Sequence, residues 1–305
     1  MMHKTKIYRA YGLMIESEIE LPELIEDQGI PDVTVRIGTV PELSEANTGK
    51  YQRIRATKDE LLLTVEEVAQ YYVENGKSIV VCPIEPIDES AIRLFLLGSA
   101  FGALLQQRGY YVLHGSAVES KGKAYVFSGQ SGAGKSTLTA TLAMKGYPLI
   151  ADDVCAIDVR PGSPPTVLPG FPRIKLCKDA AELLEKDCSA ALPVRAGFEK
   201  YNFPVGEIIQ SQTYPIGGIF ILRKNEKDGV RIDPITGLHR VRVLVRNTYR
   251  RQFIKIIRDE KKLLEQCAYI SSQVSLYRLS RGVTGSSPGE IAFYLEKNGW
   301  LGSSI

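Results

Sequence analysis

Apolar and polar positions are distributed in two different ways along this chain. Up to about residue 88 the apolar residues come in short β-leaning runs, Ile7 to Met14, Val33 to Ile37, Leu61 to Val65 and Ser78 to Val81, separated by turn residues. That pattern predicts a small β-rich unit. The segment Pro83 to Ser90 reads as a boundary, because Pro83 and Pro86 have no N–H for a ladder and should end the strand before them. Asp88 or Ser90 is suited to cap a helix that begins near Ala91. Ala91 to Leu105 is the most hydrophobic stretch, too short to span a bilayer and interrupted by Arg93, so it predicts a buried helix ending near Gln107.

Beyond that helix, strands and helices alternate. Tyr110 to Leu113 predicts a strand ended by His114 and Gly115, and Ser116 to Val118 forms a second run before a turn at Lys121-Gly122-Lys123. Ala124 to Phe127 predicts a strand, Lys135 to Lys145 a helix stopped by Gly146, and Tyr147 to Ala151 another strand. Strand, helix and strand in this compass predict a βαβ unit with parallel strands. Later come a strand at Gly218 to Leu222, a long helical region from about Arg240 to Ser272, and a final helix over about Pro288 to Lys297. The expected architecture is α/β, with a small β-rich N-terminal domain over 1–88 and a catalytic domain over 89–305. The N-terminal unit offers a possible peptide-binding or assembly surface.

Composition supports a packed protein. With 44% hydrophobic and 24% charged residues, the 305-residue chain can bury a core. A net charge of +3 is too small to argue for a nucleic-acid partner. The five cysteines, Cys82, Cys155, Cys177, Cys188 and Cys267, are odd in number and lack C-x-x-C spacing, which favours reduced thiols in a cytoplasmic protein. Nothing at the N-terminus reads as a signal peptide, and there is no internal repeat. These features predict no membrane partner and leave a homo-oligomer open.

The chemistry concentrates at Gly129-Gln130-Ser131-Gly132-Ala133-Gly134-Lys135-Ser136-Thr137, a full G-x-x-x-x-G-K-[ST] phosphate-binding pattern between a predicted strand and a predicted helix. The glycines let backbone N–H groups turn toward phosphate oxygens, and the helix N-terminus adds partial positive charge. Lys135 supplies charge to the outer phosphates and Ser136 a hydroxyl ligand for Mg²⁺, so ATP with Mg²⁺ is expected.

Asp152 and Asp153 follow the next apolar run, seventeen residues after Lys135. An acid there can serve the metal, and a second can orient or deprotonate an acceptor hydroxyl. The alternative is a solvated Asp-Asp turn. His114, ending a strand expected beside the loop, suits proton handling or charge stabilisation, although a half-buried structural histidine fits the spacing equally well.

His114-Gly115, Gly129 to Ser136 and Leu149 to Asp153 together resemble the catalytic domain of HPr kinase/phosphorylase, clearly over roughly residues 110 to 155. The resemblance implies a phosphate loop in a mixed sheet akin to that of phosphoenolpyruvate carboxykinases. It implies that Lys135 contacts phosphates, Ser136 and Asp153 serve the metal, and Asp152 with His114 serves the acceptor, with the division between the two acids left open. No segment matches that family's Glu-x-Arg-Gly-Leu-Gly signature, and Leu168 to Leu176 stands in its region. Neither phosphorolysis nor HPr itself as acceptor is therefore expected. Tyr11 to Ser17 with Leu21 to Leu24, Gly170 to Arg173, and Asn247 to Arg250 resemble HPr-kinase-like proteins encoded with lasso-peptide biosynthesis genes. That resemblance implies a kinase of the precursor peptide's C-terminal serine.

From Arg240 to Lys262 the chain carries nine Lys or Arg. The ordinary meaning is a solvated helix face. An acceptor peptide with a free C-terminal carboxylate would instead call for a guanidinium fork, and Arg173, Arg246, Arg250 and Arg281 are candidates, with Arg173 favoured. A kinase of a small metabolite or carrier protein, and a nucleotide-gated regulatory module, are the competing readings.

Overall fold

A computed structural model describes residues 5–43, 47–48, 53–187, 192–193, 199–205, 212–225, 228–256, 259–282, 284 and 286–302. Cys188 and positions 257–258 of the basic run lie outside the described residues.

The first part of the chain forms β1 (Lys6–Ala10), β2 (Leu13–Ser17), β3 (Ile25–Glu26), β4 (Val33–Ile37), β5 (Asn47–Thr48), β6 (Ile54–Ala56), β7 (Glu60–Val65), β8 (Ala69–Glu74) and β9 (Ser78–Pro83). They join in one sheet in the order β3-β1-β2-β4-β9-β8-β7-β6-β5. Ile7 to Met14 is not one strand. Tyr11 and Gly12 take φ of 56° and 70°, a pair that reverses the chain into the β1–β2 hairpin. Asp88 caps the next helix, accepting from the Ala91 N–H at 3.0 Å. That helix runs as α1 (Glu89–Phe95), a π turn over Leu96–Ala100, and α2 (Phe101–Gln107). Its buried Ile92, Leu96, Phe101 and Leu104 share an apolar cluster with Ile15, Val35, Tyr71 and Val81 of the sheet. The same cluster takes in Val112, Val154, Phe171 and Tyr249, so it continues into the second part of the chain.

That part begins with β10 (Tyr111–Ser120), β11 (Lys123–Ser128), α3 (Lys135–Met144), β12 (Leu149–Ala151), β13 (Val154–Asp158) and β14 (Thr166–Val167). A small sheet follows from β15 (Arg173–Cys177), β16 (Leu192–Pro193) and β17 (Lys200–Pro204), with α4 (Lys178–Leu183) after its first strand. The chain ends through β18 (Tyr214–Lys224), β19 (Val230–Pro234), α5 (His239–Asn247), α6 (Arg251–Ile256), α7 (Glu260–Gln273), β20 (Leu276–Arg281) and α8 (Pro288–Lys297). The large sheet has the order β11-β10-β13-β14-β18-β20-β19, with β12 on β10 and a further pairing of β11 with β18. The whole is a mixed α/β structure.

Three further expectations need correction. His114 and Gly115 do not end a strand: β10 runs unbroken for ten residues from Tyr111 to Ser120. Pairing along both of its edges overrides the local cue of a glycine. The strands either side of α3 are not neighbours, because β11 and β12 each pair antiparallel with β10. The tight turn at Lys121-Gly122, with φ of 52° and 74°, holds β10 beside β11 and so fills the place where β12 was expected. The expected helix from Arg240 to Ser272 is three helices. Thr248 leaves helical geometry with ψ of 129° and bridges to Leu113, and the Tyr249 N–H donates to the Val112 carbonyl at 2.8 Å.

Among the described residues no helix is long and apolar enough to cross a membrane. Cys155 and Cys267 are fully buried, and burial pushes both thiols up to about 12. A raised value keeps the unreactive thiol form at pH 8. A thiol reagent at pH 8 should label exposed Cys177 in the folded protein and reach Cys155 and Cys267 only after denaturation, as read by peptide mass spectrometry. Labelling of native Cys155 at the rate of Cys177 would contradict this packing.

Candidate active site

The Gly129–Thr137 segment connects the end of β11 to the start of α3. Gly132 and Gly134 have φ of 77° and 98°, conformations that glycine adopts without strain. Gly129 is needed for another reason: a Cβ there would stand 2.8 Å from the Leu222 carbonyl oxygen of β18. The loop therefore runs close against the sheet at Leu222. Lys135 lies over it, donating from Nζ to the Gly129 and Gln130 carbonyls at 3.0 and 3.2 Å.

The two acids link β12 to β13. Both strands pair with β10, Ala151 opposite Ala117 and Val154 opposite His114, so Asp152 and Asp153 lie opposite Ser116 and Gly115 in one continuous register, and the register shift falls outside them, between Ala117 and Val118 of β10. Asp153 has φ of 70°, and the two carboxylates meet different partners. Asp152 is buried. Its Oδ1 accepts from Ser116 Oγ at 2.6 Å and Ser136 Oγ at 2.9 Å, and its Oδ2 accepts from the Lys175 N–H at 2.9 Å. Asp153 instead meets His114, with Nδ1 3.1 Å from Oδ1, and Lys175, with Nζ 3.6 Å from Oδ2. Contacts therefore sort the acids the opposite way from the pairing first expected: the Ser136 hydroxyl touches Asp152, and His114 touches Asp153.

Lys175 was missed from the sequence. It is buried at 8% exposure, and a lysine so placed requires an acid partner. The available signal was a single charge between Ile174 and Leu176, in a segment already singled out for its departure from the family signature.

The four arginines separate. Arg173 turns away, donating from Nη2 to the Pro22 carbonyl at 3.0 Å. Arg281 lies beside the loop, with its guanidinium carbon 3.6 Å from where a Cβ on Gly134 would stand. Arg246 and Arg250 line a cavity of about 530 Å³ together with Gly129, Gln130, Arg251 and Lys255. A second cavity of about 430 Å³ is lined by Ser131 to Leu138, Lys175 and Arg281. His114 and Asp153 belong to the walls of both. The cavities thus meet at the His–Asp pair.

Tyr249 backs this junction, with its ring centroid 6.0 Å from that of His114. Burial raises its hydroxyl above the usual tyrosine value, which keeps it neutral there. Among the described residues no three His, Cys, Asp or Glu side chains cluster as a metal cage. The Ser136 hydroxyl and Asp152 carboxylate are nevertheless hard oxygen donors in contact, a set that suits Mg²⁺ shared with phosphate oxygens.

No protein-family model matches the chain, and no curated protein matches it in sequence. Among solved structures it is similar to the Hpr(Ser) kinase/phosphatase from Coxiella burnetii, at 12% identity over 62% of this chain and 90% of that one, with a TM-score of 0.32. Superposition at that score is loose, and the chemistry of the site stands on its own distances.

Gly115 lets β10 carry His114 close to the loop strand: a Cβ there would lie 2.9 Å from the Phe127 carbonyl oxygen. Gly115→Ala should therefore destabilise the fold by about 1–3 kcal/mol, since backbone on the facing strand cannot yield cheaply. Chemical denaturation measures this, and an unchanged midpoint would contradict the close approach.

Proposed function

We propose that this chain is an ATP- and Mg²⁺-dependent kinase that transfers the γ-phosphate to a serine hydroxyl. On the sequence resemblance, the acceptor is the C-terminal serine of a lasso-peptide precursor. The observation that carries the reading is the shared wall: a cavity bounded by the Gly129–Thr137 loop and a basic cavity both open on His114 and Asp153. A donor and an acceptor in those two spaces would meet at a carboxylate, the geometry that in-line transfer to an alcohol requires.

In this reading ATP lies in the loop-bounded cavity, and Lys135 exchanges its loop carbonyls for phosphate oxygens. Ser136 and Asp152 would hold magnesium, which when bound neutralises charge on the β- and γ-phosphates. Asp153 accepts the serine hydroxyl proton. The serine oxygen bonds to the γ-phosphorus as the bond to the β–γ bridging oxygen breaks, and ADP leaves with that electron pair. His114 and Lys175 keep the Asp153 carboxylate aimed, each in contact with one of its oxygens. Arg246 and Arg250 fork onto the terminal carboxylate of the acceptor. Such an enzyme works in the cytoplasm, where ATP is plentiful.

Asp153→Asn should lower kcat by ~10²- to 10⁴-fold, the usual contribution of a positioned base. Lys135→Ala and Asp152→Asn should each abolish measurable transfer while the far-ultraviolet circular dichroism stays native. Full activity of Asp153→Asn would remove the base assignment. Lys175→Met should cost roughly 10²-fold in kcat through misplacement of Asp153, and Lys175→Arg should restore part of it, whereas a purely structural lysine would show its loss in unfolding instead. Incubation with Mg-ATP and a candidate precursor, followed by mass spectrometry, tests the acceptor directly. Equal phosphorylation of a precursor whose terminal Ser is changed to Ala would exclude the C-terminal serine.

A further inference from the structure

The basic cavity continues past the phosphate loop. A further cavity of about 1000 Å³ is lined by the end of β18, α5 and loop residues Gly129 to Ala133, and it shares Gly129, Gln130, Arg246, Asn247 and Arg251 with the basic one. The two form one trough that runs from His114 and Asp153 to Arg223 and Lys224. Six cations border it: Arg223, Lys224, Arg246, Arg250, Arg251 and Lys255. Asp153 is the one acid among the described residues of its lining, and His114 and Lys175 already engage it. Among the described residues none of the six cations is ion-paired, although Arg250 rests over the Tyr249 ring at 5.6 Å.

This is more positive charge than the transfer itself uses. Lys135 and magnesium serve the donor phosphates, and Arg246 and Arg250 take the terminal carboxylate of the acceptor. Arg223, Lys224, Arg251 and Lys255 are left without a counter-charge. They are also spread out: of the two cavities, Arg223 and Lys224 border only the far one and Lys255 only the near one. A single small anion cannot meet them all, whereas a chain bearing several negative charges can. The only aromatic ring among the described lining residues besides His114 is Tyr249, which is 6% exposed, so bases would find no platform to stack on and single-stranded nucleic acid is disfavoured. We propose that this trough docks an acidic stretch of the acceptor peptide, several Asp or Glu residues that precede its terminal serine. The inference rests on the kinase reading above and deepens it, because it names the charge of the substrate. All of the cations but Arg251 are exposed, so each pairing contributes only a few-fold, and the selectivity comes from several acting together.

The test compares two synthetic decapeptides ending in serine, one with four glutamates in its first six positions and one with glutamine in their place. Phosphorylation by the full-length chain is followed by mass spectrometry to give kcat/KM. At low ionic strength the glutamate peptide should be preferred by about tenfold or more, and the preference should shrink severalfold in roughly 0.5 M salt. Arg223→Gln combined with Lys224→Gln and, independently, Lys255→Gln should each reduce the low-salt preference at least threefold, the second variant guarding against a fold defect in the first. Equal use of the two peptides by the unaltered chain would overturn the docking inference and leave the kinase reading standing. Equal use accompanied by salt-sensitive binding of a single-stranded RNA oligonucleotide, read by fluorescence anisotropy, would overturn it in favour of a nucleic-acid trough. A preference that persists undiminished in both well-folded variants would also overturn it. Transfer to neither peptide would overturn the peptide-acceptor reading, and the docking inference with it.

Discussion

The Asp152 carboxylate accepts from Ser116 Oγ, Ser136 Oγ and the Lys175 N–H, donors that belong to β10, α3 and β15. Only 8% of the residue is exposed. Burying a carboxylate with unsatisfied oxygens costs several kcal/mol, so these three elements are constrained to meet where their donors converge. The first turn of α3 is thereby registered against β10, and the small sheet against both. Asp153 comes next in the chain at a positive φ, and the same constraint sets where its carboxylate emerges.

Strand β10 is the frame on which that convergence is built. It pairs with β11, β12 and β13, and Leu113 bridges to Thr248. The loop strand, both acids and the turn bearing Arg250 are therefore all referenced to four consecutive residues, Leu113 to Ser116. A shift of one residue in β10 would turn His114 to the other face and separate Ser116 from Asp152. The geometry of the site and the topology are coupled through this register, which is continuous from Tyr111 opposite Ile157 to Ala117 opposite Ala151.

What could be read from the chain follows from how local each cause is. The Gly129–Thr137 loop, helix α3 and helix α8 were legible because glycine positions, helix formers and, in α8, the Ser287 cap with Pro288 act within a few residues. The continuity of β10 was not, since its reason lies in partners on both edges. Nor was the break at Thr248 to Arg250, where a helix-forming run gives way to a bridge with a strand far earlier in the sequence. The same holds within the site. The acid pair could be found by spacing, but its sorting between Ser136 and His114 depends on which residues of β10, α3 and β15 face each acid, and no local pattern announces that.

The short motifs without obvious chemistry acquire a physical role from their contacts. The Tyr11 N–H donates to the Pro169 carbonyl at 2.7 Å, and the Tyr11 ring meets Phe171 edge-on at 6.4 Å. Arg173 reaches back to Pro22, and Tyr249 is held on Val112. Three separated segments thus converge behind the acids and bring the β1–β2 hairpin against them. Tyr11 is almost fully buried, and desolvation raises its hydroxyl well above the usual value, so the wall it forms stays uncharged. An apolar, fixed wall on one side leaves Asp153 to respond to the groups it touches on the other, His114 and Lys175. The N-terminal sheet therefore bears on the acid pair through packing: Tyr11 and Phe171 back it without placing a charge there.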